Sequence, residues 1–208
     1  MLSGLAIMLI LALTSCLSPS ESNSQVEPST TRTPEVVEKI YSDTLLRKMK
    51  AHFESLVETR DDVEGTSSYR SSSSPRDGIA ERGVDVFATI YQQDGSGPRL
   101  RLQVQYMASD WIFFEEVVVN VDGENTRFNP GYSAVNRRTG SGVVYEWWSA
   151  QLDDTELLNS IGYSERTIVR LAGDTSKTDT ELSVADQLDM VRVASAYEWL
   201  LYEYNNEN

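Results

Sequence analysis

The middle of the chain is rich in β-branched and aromatic residues, and their pattern predicts a β-sheet. The stretch from 99 to 128 reads RLRLQVQYMASDWIFFEEVVVNVDGENTRF and contains two long strand-like runs and the start of a third. In the run 100–106, apolar residues alternate with Arg101, Gln103 and Gln105, which predicts one buried and one solvated face. In the run 111–121 both alternating sets are largely apolar. That run is therefore expected to be a central strand, covered on both sides.

Further strand-like runs flank this stretch. They cover 84–92, 143–149, 166–171 and 177–182. Asp122-Gly123 tolerates the positive backbone angles of a tight turn, so 119–128 is predicted to form a hairpin. Between that hairpin and the strand at 143, a polar loop is expected to carry Arg137 and Arg138.

Helical spacing of apolar residues predicts a helix at each end of the folded part. The first is expected to begin at segment 33–35, Thr-Pro-Glu, which supplies a cap, a proline at the first helical position and an acid in the first turn. It should run to about residue 60. A short helix is predicted over 153–161. The last helix follows Ser183, where Asp186 completes a capping-box arrangement.

These elements predict an α+β fold, in which a mostly antiparallel β-sheet is flanked by an N-terminal and a C-terminal helix. A single α+β domain is expected over 34–208. Within it, residues 61–83 lack a periodic pattern and contain four consecutive serines at 71–74. This segment is predicted to be a mobile loop.

Charge excludes one class of partner. The chain of 208 residues has 18 basic and 32 acidic residues, a formal net charge of -14. Nucleic acids are bound through clustered Lys and Arg, so no nucleic-acid partner is expected. The same net charge repels an anionic lipid surface, so a membrane association would need a means other than surface electrostatics.

The N-terminus supplies such a means. Residues 5–13, LAIMLILAL, form an apolar run too short to span a bilayer but of the length of a signal-peptide core. The next residues complete the sequence Leu13-Thr14-Ser15-Cys16, with an aliphatic residue, two small residues and the sole cysteine. This sequence resembles the lipobox of bacterial lipoproteins.

The resemblance implies that residues 1–15 are a signal peptide and that Cys16 is lipidated after cleavage. Residues 16–33 are rich in Ser, Thr and Pro and are expected to be a flexible, lipidated tether. The expected location is extracytoplasmic, with the protein anchored to a bacterial membrane through Cys16. Leu17 after the cysteine favours the outer membrane in a Gram-negative source.

The sequence offers few candidates for catalytic or ligand-binding residues. Glu115 and Glu116 are adjacent on a predicted strand and must face opposite sides of it. An Arg partner, Arg101 or Arg170, would give a structural ion pair, whereas Glu146 would give an acid pair like that of glycosidases. The ion pair is the favoured interpretation.

Two tryptophans and one histidine complete the set of candidates. Trp147 and Trp148 also face opposite sides, so one is expected in the core and the other is a candidate sugar-stacking platform. His52 is the sole histidine, and its place on the first helix predicts a boundary residue and not a metal ligand. No cofactor and no metal are expected.

Two hypotheses follow for function. The favoured one is a non-catalytic, lipid-anchored binding or protein-interaction module of the cell envelope, with another envelope protein as a candidate partner. It predicts an exposed apolar or aromatic patch. The alternative is a small cell-envelope hydrolase that uses Glu115 or Glu116 together with Glu146, which predicts two facing carboxyl groups about 5 to 10 Å apart.

Overall fold

The computed structural model describes residues 41–74 and 83–207. The predicted signal peptide, Cys16 and the tether lie outside the described residues, as does the predicted start of the first helix. Within the described ranges the helices are α1 (Asp43–Glu54), α2 (Glu156–Tyr163) and α3 (Val184–Glu207). The strands are β1 (Val57–Asp61), β2 (Thr66–Arg70), β3 (Gly83–Gln93), β4 (Arg99–Ala108), β5 (Glu116–Val121), β6 (Glu124–Phe128), β7 (Asn136–Gly140), β8 (Val143–Leu152), β9 (Thr167–Ala172) and β10 (Lys177–Glu181).

The predicted α+β class is confirmed, but the strands form two sheets and not one. A six-stranded sheet has the order β1-β2-β3-β4-β8-β7, and a four-stranded sheet has the order β10-β9-β5-β6. The strand pairs in both sheets are antiparallel. One hydrophobic core contains residues of both sheets together with residues of α2 and α3.

The stretch 99–128 is divided between the two sheets. Strand β4 pairs with β3 and β8, whereas β5 pairs with β6 and β9. The strand predicted over 111–121 therefore begins only at Glu116, because the backbone leaves the extended conformation at Phe113, where φ is 54°. The remaining part agrees with the prediction of a central strand, since Val117, Val118 and Val119 are buried between two neighbours.

The predicted alternation in β4 is present. Leu100, Leu102 and Val104 are fully buried on the face that packs in the core, and α3 lies against β3 and β4. Arg101 and Gln103 point to the opposite face and are partly exposed. We call this opposite face of the six-stranded sheet the outer face.

Helix α1 is shorter than its periodicity predicted. Ser42 caps its start through the amide of Leu45, and the chain turns at Ser55, whose amide donates to the carbonyl oxygen of His52. Residues 57–61 then form β1, because they pair with β2. Strand β2 itself lies in the segment 61–83, which was expected to be irregular. Helix α1 packs beside α3.

The structure confirms a predicted turn and a predicted helix cap, but not the predicted polar loop. Asp122 and Gly123 both have positive φ, 49° and 98°, and close the β5–β6 hairpin as expected. Ser183 and Asp186 form the predicted capping box, with each side chain accepting a hydrogen bond from the other's amide. The predicted polar loop with Arg137 and Arg138 is wrong, since both residues lie in β7.

No helix in the described ranges has the length and apolar character needed to cross a membrane.

Candidate functional site

A buried carboxylate lies where the two sheets meet the segment between β4 and β5. Glu146 is on the core side of β8 and is fully buried. Its Oε1 accepts hydrogen bonds from the amides of Ile112 at 2.7 Å and Phe113 at 2.9 Å, and its Oε2 accepts one from Phe114 at 3.1 Å. Successive amides that surround an anion form a nest, which stabilises negative charge. Glu146 thus fixes the backbone of 112–114.

Arg137 neutralises this carboxylate. Its Nε donates to Oε2 of Glu146 at 3.2 Å, and the Arg137 side chain is 12% exposed. Its remaining donors reach backbone oxygens of Phe114 at 3.1 Å, Tyr132 at 2.6 Å and Val135 at 3.2 Å. A buried ion pair is tolerated when such additional hydrogen bonds satisfy both partners. The pair therefore ties β7 and β8 to the two segments around 113 and 133.

The carboxylate also affects a neighbouring hydroxyl group. Burial raises the pKa of the Tyr106 hydroxyl, and the negative charges of Glu146 and Asp110 add to that rise. Tyr106 therefore stays protonated at neutral pH and donates its hydrogen bond to the carbonyl oxygen of Asp110 at 3.1 Å. This bond closes the turn after β4.

Phe113 is held in a strained and exposed position. Its φ of 54° lies in the left-handed region, which costs a non-glycine residue about 1–3 kcal/mol, and its side chain is 42% exposed. Gly173 packs directly behind it: a Cβ at Gly173 would lie 2.3 Å from the carbonyl oxygen of Ile112 and 2.6 Å from that of Phe113. The nest and this close approach together keep the Phe113 ring pointing outward.

Three rings form what we call the aromatic surface: Trp111, Phe113 and Tyr132. The Trp111 and Phe113 rings stack with centroids 5.3 Å apart, and those of Phe113 and Tyr132 are 6.2 Å apart. Tyr132 is 57% exposed. The guanidinium carbon of Arg137 lies 4.1 Å from the Tyr132 centroid and so supports that ring from one side.

A second feature is a groove of about 480 Å³ on the outer face. We call it the outer-face groove, and it is lined by side chains of β1–β4, β7 and β8. Its larger lining residues are Arg70, Phe87, Tyr91, Arg101, Gln103, Gln105 and Trp147. The β3–β4–β8 register aligns these residues, since Phe87 is opposite Gln103 and Gln105 is opposite Trp147.

The side chains of the groove support one another. The Arg101 guanidinium lies 5.4 Å from the Tyr91 ring centroid, and its Nη1 is 3.4 Å from the Ser149 hydroxyl. Gln103 donates to the Tyr91 hydroxyl at 3.3 Å. Arg138, on the neighbouring strand, lies 5.6 Å from the Trp147 ring centroid. The side chains of the groove are thus held in place by contacts with one another.

The structure places the predicted carboxylates in different surroundings. Glu116 pairs with Arg127 at 2.6 Å, a partner that was not among those expected, while Arg170 pairs with Asp179. Glu115 directly precedes β5, and its amide donates to the carbonyl oxygen of Ala172. Because both oxygens of Glu146 already accept hydrogen bonds, these contacts give no support to an acid pair.

The two tryptophans point to opposite sides, as expected. Trp148 packs against the core and against the Phe128 ring, with centroids 5.5 Å apart. Trp147 lines the outer-face groove. Of the two, Trp147 is therefore the one placed to contact a ligand.

His52 is a half-buried residue of α1. Burial lowers the pKa of its imidazole, and the nearby positive charges of Arg192 and Lys48 lower it further. In the described part of the chain, no group of three or more His, Cys, Asp or Glu residues is arranged to hold a metal ion.

The aromatic surface was missed by sequence reasoning. The apolar run from Trp111 to Phe114 predicts a strand, whereas the exposure of Phe113 depends on Glu146, 33 positions away. Comparison of the chain with known proteins gave no match: no protein-family model, no curated protein and no solved structure matches it.

Proposed function

We propose that the protein is a lipid-anchored bacterial lipoprotein on the extracytoplasmic side of a membrane, where its domain acts as a non-catalytic binding or protein-interaction module of the cell envelope. One observation carries the proposal. The sole cysteine, Cys16, follows a nine-residue apolar run and the small residues Thr14 and Ser15. A diacylglyceryl group on that thiol anchors the protein independently of its net charge of -14.

The aromatic surface supports the interaction part of the proposal. Large rigid rings contribute much of the binding energy at protein interfaces because they bury a large area at little entropic cost. Trp111, Phe113 and Tyr132 are held in place by stacking and by the contacts of Arg137 and Glu146. Since the chain accepts a strained backbone at Phe113 to keep that ring outside, we assign the partner-binding role to this surface.

The hydrolase alternative gains no support. A general acid or base needs a carboxyl group that can exchange a proton with the substrate. The carboxylate of Glu146 is buried and accepts three amide hydrogen bonds, and that of Glu116 is paired with Arg127.

The anchor is tested by cell fractionation of Cys16→Ser against the wild type. We expect the wild type in the membrane fraction and Cys16→Ser released into the soluble fraction or left uncleaved. Ser15→Ala is the matched control, because alanine keeps a small residue before the cysteine, and it should behave as the wild type. A processed Cys16→Ser protein that still sediments with membranes would contradict the proposal.

The interaction part is tested by capture of partners from detergent-solubilised envelope. Wild type and Phe113→Asn are compared, since asparagine tolerates the left-handed backbone but lacks the ring. The control is Tyr163→Asn, which removes a ring that is 78% exposed elsewhere. We expect one stoichiometric partner with wild type and the control, and its loss with Phe113→Asn. Equal capture by all three proteins would show that the aromatic surface does not bind the partner.

A further inference from the structure

The outer-face groove has a charge opposite to that of the whole protein. Arg101 lines it, and so does Arg70, whose Nη1 already donates to the Ser74 carbonyl oxygen at 3.2 Å; no carboxylate of the described residues lines it. Arg138 adds a third guanidinium at its edge, beside Trp147. Asp85 lies on the same face, opposite Gln105 in the β3–β4 register. In a chain with a net charge of -14, the guanidinium groups of Arg101 and Arg138 on this face favour an anionic ligand.

Two polar atoms of the groove's own residues are buried without a hydrogen-bond partner. They are Oε1 of Gln105 and Nε of Arg101. Gln105 is 7% exposed, and both residues line the groove. A buried polar group that makes no hydrogen bond is destabilising, because it has lost its contact with water. Both atoms are closed to solvent, so a ligand would hydrogen-bond to them only after the Gln105 and Arg101 side chains turn toward the groove.

The rest of the lining fits a sugar ring. Trp147, Phe87 and Tyr91 offer aromatic surfaces, and the C–H faces of a pyranose can pack on such rings. Gln103, Thr89 and Ser149 supply amide and hydroxyl groups that both donate and accept, as sugar hydroxyls require. Guanidinium groups bind carboxylates through two parallel hydrogen bonds, which an ammonium group cannot do.

We propose that the outer-face groove binds an oligosaccharide that carries carboxylate groups, a uronic-acid chain. The lining residues come from all six strands, so the groove crosses the sheet and accepts a section of a longer chain. A bare anion would contact the guanidinium groups but not the aromatic rings, whereas a sugar acid contacts both. This binding site extends the proposed function from a protein partner to an acidic glycan, and it does not depend on lipid at Cys16.

Titration calorimetry with the full chain in detergent tests the site. The probes are oligomers of galacturonate, mannuronate and glucuronate, the methyl-esterified galacturonate oligomer and neutral maltotriose. We expect at least one acidic oligomer to bind, its methyl ester to bind at least tenfold more weakly, and maltotriose not to bind. Because charge contributes, affinity should fall as the salt concentration rises.

Variants locate the binding. Arg101→Gln and Trp147→Ala should each raise the dissociation constant at least tenfold, while Arg127→Gln, in the other sheet, should leave it unchanged. Thermal unfolding of each variant shows whether it is folded. The comparison of acid with methyl ester uses wild-type protein, so it stands even if a variant fails to fold.

Several results would overturn the proposal. One is the absence of binding to all three acidic oligomers. Another is equal affinity for maltotriose, and a third is full competition by inorganic phosphate, which would mean that the groove recognises only an anion. Binding of an acidic peptide without any binding of the sugars would assign the groove to a protein partner. These calorimetric results do not depend on whether Cys16 is lipidated, which the cell-fractionation experiment tests separately.

Discussion

The carboxylate of Glu146 accepts a hydrogen bond from the amide of Phe113 at 2.9 Å, across 33 positions of sequence. Phe113 is at the same time the residue with a left-handed backbone and an outward ring. The buried carboxylate of Glu146 thus helps to fix the backbone conformation that holds the Phe113 ring in solvent. This relationship links the core of the domain to the aromatic surface.

Replacing Glu146 by glutamine should destabilise the domain strongly. The amide nitrogen that replaces Oε2 cannot accept the hydrogen bonds of Phe114 and Arg137, and Arg137 is left buried without its counter-charge. Removing one partner of a buried ion pair costs about 3–5 kcal/mol. Urea unfolding measures this loss. Glu116→Gln is the control, because its pair with Arg127 is partly exposed and should contribute less than about 1 kcal/mol; equal losses would contradict the nest.

Phe113→Gly should be more stable than Phe113→Ala by about 1 kcal/mol. Both variants lose the ring, but only glycine adopts a φ of 54° without strain. At an ordinary extended or helical position the order is the reverse or the difference is small. The midpoint of urea unfolding, measured for both variants, checks this prediction. If alanine were equal or better, Phe113 would not be strained in solution.

Gly173→Ala should cost about 1–3 kcal/mol, because the added methyl group would collide with the carbonyl oxygens of Ile112 and Phe113. Backbone atoms cannot move aside as a flexible side chain can. Gly140→Ala is the matched control, since its Cβ would meet only the Tyr145 ring at an ordinary 3.8 Å. The free energy of unfolding of that variant should stay within about 0.5 kcal/mol of wild type. Similar values for the two would argue against the close packing behind Phe113.

His52 should make the stability of the domain fall on mild acidification. Its pKa in the folded protein is lowered, so the unfolded chain, with an ordinary histidine pKa of about 6.5, binds the proton first. This contribution is therefore complete above that value and is lost as pH falls through it toward the folded pKa. Urea unfolding between pH 7.5 and 5 for wild type and His52→Gln isolates the effect. The variant should show a smaller loss; an identical profile would exclude His52 as the cause.

The elements that the sequence predicted well are those defined by neighbours in sequence. The alternation around Arg101 and Gln103, the Asp122-Gly123 turn and the Ser183 cap all depend on residues within a few positions. The division into two sheets could not be seen in this way, because strand pairing brings distant segments together and 111–115 is as apolar as the strand that follows. Strand β7 was mistaken for a loop because it is a polar edge strand.

In the site, too, local sequence patterns predicted some features, whereas contacts between distant segments could not be predicted. Opposite orientations of Trp147 and Trp148 follow from strand geometry and were predicted. That Trp147 shares a groove with Arg101 follows only from the β4–β8 register. The role of Glu146 as the acceptor in a nest needed the position of Phe113, which no local pattern indicated.

Intact-mass analysis of the protein purified from membranes shows whether Cys16 carries the proposed lipid anchor. We expect a chain that begins at Cys16 and is heavier than its residues by a diacylglyceryl group, with or without a further acyl chain. A chain that keeps residues 1–15 and carries an unmodified cysteine would contradict the proposal.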